Sequence, residues 1–350
     1  MIHSGIYYQP GSLKARYCRQ GKQLLEDFCQ QHHIQFEQPG KLISAVVPGQ
    51  EEMLQGLAVR AEQNGVEHLM LNAREARGKE PRLKSHGALE VPGTGIVDYS
   101  QVTRALVEQS HSRGSQIYLD SKVLQIRRLG ERIELTTSQG QLDVDGYVNC
   151  AGLHSDRLAR KAGVELDARV VPFRGEYYRL APASAEGLSG RLIYPLPDPR
   201  FPFLGVHLTP KMTGEFLAGP NAVLAFARQG YSWRHISLPH LWRLFTFPGF
   251  LRLAANHWRF GLQEMVRSLS KTRFTQSLGR LVEGINAWDL APAASGVRAQ
   301  LVSRDGRLVD DFSIQESPGG IHVLNAPSPA ATASLMIGQA VAERAIRAFA

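Results

Sequence analysis

The sequence predicts an α/β protein in which a nucleotide-binding domain is interrupted by a domain built on an antiparallel sheet. Three observations predict it. The stretch "GYVNCAGLHSDRLARKAG" is a hydrophobic strand running into small residues and then a helix, the strand, tight loop and helix order of a nucleotide-binding sheet. The same order returns at the end of the chain in "GGIHVLNAPSPAATASLMIGQAVAERAIRAF". Between them, from Val171 to about Phe226, short strands are punctuated by Pro and Gly, which is an antiparallel texture.

The elements follow in chain order. "SLKARYCRQGKQLLEDFCQQHH" places Leu24, Leu25 and Phe28 at helical spacing. "KLISAVV" is a short strand. "GQEEMLQGLAVRAEQNGV" is an amphipathic helix closed by Asn64-Gly65, a C-cap signal. Asn72 starts a short helix that stops before Pro81. A helix runs from about Tyr99 to Ser112. "SQIYLDSKVLQIRR" and "RIELTTSQGQLDVDGYVNCAG" read as consecutive strands with turns at Gly130 and at "SQG". "VPFRGEYYRL", "RLIYPLP", "FPFLGVHLT" and "EFLAGPNAVL" are the strands of the second sheet, and residues 231 to 262 are helical, aromatic and arginine-bearing.

Composition narrows the function classes. The chain has 350 residues, 43% hydrophobic and 21% charged, and a formal charge of +8. A basic excess favours anionic partners, but the Lys and Arg are scattered, which argues against a nucleic-acid surface. Three cysteines, Cys18, Cys29 and Cys150, form no CxxC pair and fit reduced thiols in a cytoplasm. Twelve histidines show no paired-ligand spacing, so no metal site is expected. No apolar run approaches the roughly 18 residues of a spanning helix.

Four stretches carry chemistry. In "VNCAGLHSD" small residues let backbone N–H groups approach a phosphate at a helix start, although an ordinary strand-to-helix turn reads the same way. In "NAPSPAATAS" two prolines stiffen a loop of small residues that can pack on a flat ligand, and the following helix points its positive end there. In "SGVRAQ" Gly296 allows close backbone approach and Arg298 offers a planar two-point donor to a carboxylate, although a solvated surface arginine reads the same way. Arg174, Tyr194 and His207 lie on neighbouring predicted strands that can face one pocket, and a histidine is the usual proton acceptor from an alcohol.

Taken together, "IHSGIYYQPGSLKARYC", "VNCAGLHSDRLA", "PFRGEYYRL", "LIYPLPDPRFPFLGVHLTP", "GPNAVLAFARQGY", "GVRAQ" and "NAPSPAATAS" resemble the L-2-hydroxyglutarate oxidase/dehydrogenase family, within the D-amino-acid-oxidase-like FAD enzymes. The resemblance runs from Ile2 to the C-terminus. It implies an FAD-binding Rossmann-like domain (residues 1–40, 85–170 and 290–350) and an α+β substrate domain inserted in it (residues 41–84 and 171–289). Met1 falls inside the family pattern, and the GxGxxG turn that precedes it there is not in this chain, so an N-terminally truncated cofactor domain is expected.

The resemblance also implies the reaction: oxidation of L-2-hydroxyglutarate to 2-oxoglutarate, hydride passing to flavin N5 and electrons onward to a quinone or oxygen. His207 is the expected base and Arg298 the carboxylate clamp, with Arg174 and Tyr194 lining the pocket. For FAD it implies His3, Ser4 and Gly5 against the isoalloxazine, Val123 near the adenine, and Cys150, Ala151 and Gly152 near the phosphates. It adds Gly296, Asn325, Ala326, Pro327, Ser328, Ala330, Ala331 and Thr332. Two alternatives stand beside this reading: a non-catalytic remnant that cannot hold FAD, and an oxidase of another 2-hydroxy acid or an amino acid. Finally, Trp242, Phe245, Phe247, Phe250 and Trp258 alternate with Arg243, Arg252 and Arg259 in residues 238–260. That pattern suits weak peripheral contact with the inner face of the plasma membrane by a cytoplasmic protein, or a helical pair packed on the substrate domain.

Overall fold

The computed structural model describes residues 1–197 and 204–349. Part of the strand read in "FPFLGVHLT" lies outside the described residues. The largest sheet has eight strands, in the order Leu290–Pro292, Tyr178–Leu180, Phe216–Gly219, His207–Pro210, Leu192–Pro195, Lys41–Ser44, Ala88–Val91 and Leu69–Leu71. Every pairing in it is antiparallel except that of Leu192–Pro195 with Lys41–Ser44.

Side chains alternate across this sheet with the period of two that extended backbone imposes. Leu42, Ile193, Leu208 and Ala218 enter one core with Phe274 and Leu278, from the helix Lys271–Leu278. Ile43, Leu89, Leu192 and Tyr194 enter another with Leu54, Leu57 and Ala61 of the helix Glu51–Gln63. The middle of the sheet is therefore buried on both faces, which is why Lys41–Ser44 is buried at every position.

The strand, loop and helix units from the two halves of the chain meet as expected. Tyr147–Asn149 lies parallel to Gly320–Asn325, and each strand runs into a helix, Ser155–Lys161 and Ser334–Phe349. Asp156, fully buried, fixes the first of these helices by an ion pair with Arg228 and by accepting from Val170 N at 3.1 Å. The long helix Leu13–Gln31 starts at Ser12, whose hydroxyl accepts from Ala15 N, while Asp311 accepts from Leu13 N and Lys14 N at 2.9 Å each. A carboxylate at that end complements the helix dipole.

Local signals were placed well. Asn72 caps Ala73–Lys79 with a capping box, Asp98 caps Tyr99–Ser112, and Gly65 follows Glu51–Gln63 at φ +63°. Other readings need correction. The strand read from Ser115 begins only at Val123, because Asp120 turns the chain at φ +54°. "VPFRGEYYRL" is two strands in different sheets: Ala168–Gly175 pairs with Gly296–Ser303, and Tyr178–Leu180 joins the large sheet. Ala88–Val91 and Leu290–Pro292, assigned by the boundaries at 85 and 290 to the cofactor domain, are strands of the large sheet.

The aromatic segment forms Leu238–Phe245 and Pro248–Leu269, the second interrupted by non-helical backbone at His257. Its aromatics divide. Phe247 and Phe250 pack inward with Leu244, Leu253 and Val171, whereas Trp242, Phe245 and Trp258 are exposed. No helix among the described residues is long and apolar enough to cross a membrane.

Candidate active site

The loop Ile2 to Tyr8 is held against the C-terminal loop through both the backbone and the side chain of His3. His3 N donates to Thr332 Oγ1 at 3.0 Å, and Thr332 Oγ1 also lies 3.3 Å from Tyr99 Oη. His3 Nε2 is 3.3 Å from Ser328 Oγ. Gly5, at φ +96°, turns the loop where a side chain would be strained, and its carbonyl accepts from Asn64 Nδ2 at 3.2 Å. Beneath these loops, Gly21 lets the first helix approach closely: a Cβ there would lie 2.7 Å from Ala333 Cα.

A cavity of about 760 Å³ opens beside this contact. His3 and Ser328 to Ala331 supply part of its lining, and Tyr177, Tyr194, His207 and Thr209 supply another part from the large sheet. Tyr194 and His207 belong to adjacent antiparallel strands whose register pairs Ile193 with Leu208, so the two side chains are direct cross-strand neighbours. Their rings stack with centroids 3.8 Å apart and 20° between planes.

His207 is 8% exposed and its Nδ1 lies 2.8 Å from the Gly205 carbonyl. In the neutral tautomer Nδ1–H donates to that oxygen and Nε2 keeps its lone pair. Burial pushes its pKa down to about 3; the Gly205 carbonyl acts the other way, and the charges of Lys41 and Arg298 add to the lowering. The imidazole is therefore held as a neutral acceptor near neutral pH. His3 is held well below its ordinary range by burial and by Lys41, so it too is uncharged.

The other expected site residues fall into three groups. Arg298 is strongly desolvated and acts electrostatically on His207, Tyr177 and Tyr194, with Nη1 3.5 Å from the Asn221 carbonyl. Gly296, at the start of the same strand, pairs with Gly175 and is exposed. Arg174 does not line the cavity. It is 1% exposed, bonds Glu176 through Nε and Nη2 at 3.1 and 2.9 Å, reaches the Gly230 carbonyl, and lies over the Trp233 ring. These contacts tie its guanidinium to the turn after Gly175 and to the backbone at Gly230.

Asn325 is corrected in the same way. Its amide is used inside the protein: Oδ1 accepts from Leu301 N, and Nδ2 donates to the Val309 and Asp311 carbonyls. Of the loop that follows, Ser328, Ala330 and Ala331 line the cavity together with Pro329, while Ala326 and Pro327 do not. Val123 and the exposed Cys150, Ala151 and Gly152 lie outside the cavity lining, the last three where Tyr147–Asn149 runs into its helix.

Sequence reasoning missed Tyr177, Thr209, Tyr99 and Lys41. The first two sit inside stretches already quoted, "RGEYYRL" and "GVHLT"; Lys41 is a lysine on an otherwise apolar buried strand.

A proton acceptor on the wall of a cavity, with a loop of small residues at the head of a long helix completing it, is the arrangement of an oxidoreductase that carries a dinucleotide-type cofactor. The family model for FAD dependent oxidoreductases matches residues 1–344, and the chain belongs to that family. It is 44% identical to an L-2-hydroxyglutarate dehydrogenase of Indibacter alkaliphilus, over 100% of this chain and 88% of that one. It is 41% identical to that of Escherichia coli K12, over 97% and 80%, and 39% identical to the human mitochondrial one, over 100% and 79%. Among solved structures, an FAD-bound L-alpha-glycerophosphate oxidase from Mycoplasma pneumoniae superposes with a TM-score of 0.78 at 20% identity, covering 99% of this chain and 82% of that one. Glycine oxidase from Geobacillus kaustophilus gives 0.71 at 19%, with 99% and 82% covered.

The protein is an FAD-dependent oxidoreductase, and the site fits that cofactor. Ser4 Oγ is buried with no hydrogen-bond partner, the small residues Ala330 and Ala331 leave the cavity wall open to a flat ring, and backbone at 150–152 is exposed at the end of a parallel strand. His3 to Gly5 and Ser328 to Ala331 are the residues that would hold the isoalloxazine.

Proposed function

We propose that this chain oxidises L-2-hydroxyglutarate to 2-oxoglutarate, with His207 as the base that takes the hydroxyl proton and Arg298 as the partner of a substrate carboxylate. FAD, when bound, supplies the acceptor for the hydride. The observation that carries the reading is the state of His207: buried, neutral, stacked on Tyr194 and lining the cavity, with Nδ1 occupied and Nε2 the nitrogen left to accept. Loss of the hydroxyl proton makes the α-hydrogen a better hydride donor, and a base that is already desolvated needs no solvent rearrangement to receive it. Tyr194 and Tyr177, both raised by burial, stay protonated, so neither competes as a base. The similarity to L-2-hydroxyglutarate dehydrogenases supports the substrate, and a dicarboxylate suits the guanidinium of Arg298.

The reading is tested by mixing FAD-loaded protein anaerobically with L-2-hydroxyglutarate, D-2-hydroxyglutarate, L-lactate and glycine in turn. Fast bleaching of the flavin band by the first alone is expected; equal or faster bleaching by another sinks the substrate assignment.

A second reading concerns the acceptor. The exposed Trp242, Phe245 and Trp258, with Arg243, Arg252 and Arg259 beside them, support weak contact of a cytoplasmic enzyme with an anionic bilayer surface; the electron acceptor is a quinone, which such contact would bring within reach, or oxygen.

A further inference from the structure

Lys41 is fully buried, yet its Nζ has no hydrogen-bond or carboxylate partner among the described residues. Other shielded lysines are neutralised: Lys14 pairs with Asp310 at 2.7 Å and Lys22 with Glu26 at 2.8 Å. Lys41 has aromatic faces instead. Its Nζ lies 4.8 Å from the Tyr7 ring centroid and 4.6 Å from that of Tyr194.

The sheet explains the placement. Lys41–Ser44 and His207–Pro210 flank Leu192–Pro195 on opposite sides. Lys41 pairs with Leu192, Ile43 with Tyr194, and the Ile193–Leu208 pairing puts His207 opposite Tyr194. By the alternation of extended strands, Lys41, Tyr194 and His207 project from one face. Tyr194 is thus held between an ammonium and an imidazole, and both the phenol ring and the imidazole line the cavity while Lys41 does not.

Burying an unpaired ammonium costs stability, and an apolar side chain of similar length at this place would be the more stable choice. A fold that keeps the costly residue beside its reactive groups is using it. We propose that Lys41 is a positioning residue for the oxidation: it holds the Tyr194 ring flat against the His207 imidazole and so fixes the direction in which Nε2 meets the substrate hydroxyl. The proposal rests on His207 being the base. Burial also pushes the Lys41 pKa down to about 7, as expected of an amine held by ring faces alone, and its charge helps keep His207 unprotonated.

The test uses FAD-loaded protein and four variants: Lys41→Met, Lys41→Arg, His207→Gln and the double variant Lys41→Met/His207→Gln. Lys41→Met should lower kcat by up to about 100-fold with little change in KM, since it misdirects the base rather than removing substrate contacts. Its melting temperature should stay level or rise. Lys41→Arg, which keeps a cation between the two rings, should recover a large part of the loss. In the His207→Gln background the lysine change should lower kcat no further, because both act through one group. Wild-type kcat in Lys41→Met, an additive loss in the double variant, or a melting temperature that falls together with activity would each overturn the proposal. If His207→Gln alone turned over normally, the base assignment would fall and Lys41 with it; if His207→Gln is slow and Lys41→Met is not, the lysine proposal alone is lost.

Discussion

His207 and Tyr194 stack ring on ring at 3.8 Å, brought face to face by the register of their two antiparallel strands. The base is therefore oriented by the Gly205 carbonyl at Nδ1 and by the Tyr194 ring on its face. His207→Gln keeps a polar side chain of similar reach but cannot take a proton, so kcat should fall by roughly 10²- to 10⁴-fold with KM nearly unchanged. Steady-state kinetics on the FAD-loaded variant check this; a turnover within a few-fold of wild type removes His207 from the base role.

The same burial predicts acid sensitivity. A free imidazole takes its proton near 6.5, whereas His207 in the fold takes it only near 3. Between these values the unfolded chain binds the extra proton, so stability should fall as pH drops from about 6.5 towards 3, by about 1.4 kcal/mol per pH unit for each such histidine. Urea unfolding from pH 7 to 4.5 measures the slope, which should be shallower in His207→Gln. Parallel slopes would mean that His207 is solvated in the folded chain.

Arg298→Lys keeps the charge and loses the planar two-point contact. It should reduce kcat/KM for dicarboxylic 2-hydroxy acids by about 10- to 100-fold, a loss of some 1.4 to 2.7 kcal/mol. Monocarboxylic substrates of the same length should lose equally if Arg298 binds the carboxylate beside the reacting carbon, and less if it binds the distal one. Unchanged kcat/KM for all of them would exclude a clamp.

Gly21→Ala inserts a methyl 2.7 Å from Ala333 Cα and 2.8 Å from the Thr332 carbonyl, both backbone atoms that cannot swing aside. The cost should be about 1–3 kcal/mol. Because Thr332 holds His3 N, the change should also weaken flavin binding. Thermal unfolding and flavin release on dilution read the two effects; an unaltered melting temperature would mean that the helix shifts freely.

Sedimentation with vesicles tests the bilayer contact. Binding to anionic vesicles at low salt, lost at high salt and absent with neutral vesicles, is expected. Arg252→Glu with Arg259→Glu should abolish it without lowering the melting temperature. Equal partitioning to neutral and anionic vesicles would reject the electrostatic contribution.

Much of the fold was legible because its signals are local. The cap at Asn72 and the glycine after Asn64 act within one helical turn, and the two strand, loop and helix units are readable from small residues after apolar runs. Sheet membership was less legible, since alternation says that Ala88–Val91 is a strand but not which edge receives it. The arginines show the same limit. Phe173 faces Arg298 and Arg174 faces Val297 in one antiparallel ladder, so the two arginines start one rung apart on opposite faces, and Arg174 falls on the face where Glu176 takes it up. Asn325 looked available in a small-residue loop, but its amide bonds lie up to 24 residues away and have no local signature. Lys41 escaped notice because a lysine at the start of a strand ordinarily reaches water, and here the next strands close over it.

The parallel pairing of Tyr147–Asn149 with Gly320–Asn325 also governs how the chain is made. Asn149 and His322, hydrogen-bonded in the finished protein, are 173 residues apart. At a synthesis rate of about 5–20 residues per second, the first strand waits on the order of ten seconds or more for its partner to be translated. During that wait the strand has nothing from Gly320–Asn325 to pair with, and its exposed Val148 is open to other chains. This pairing therefore closes late in synthesis, and until then the edge of Tyr147–Asn149 that receives Gly320–Asn325 needs cover from another source.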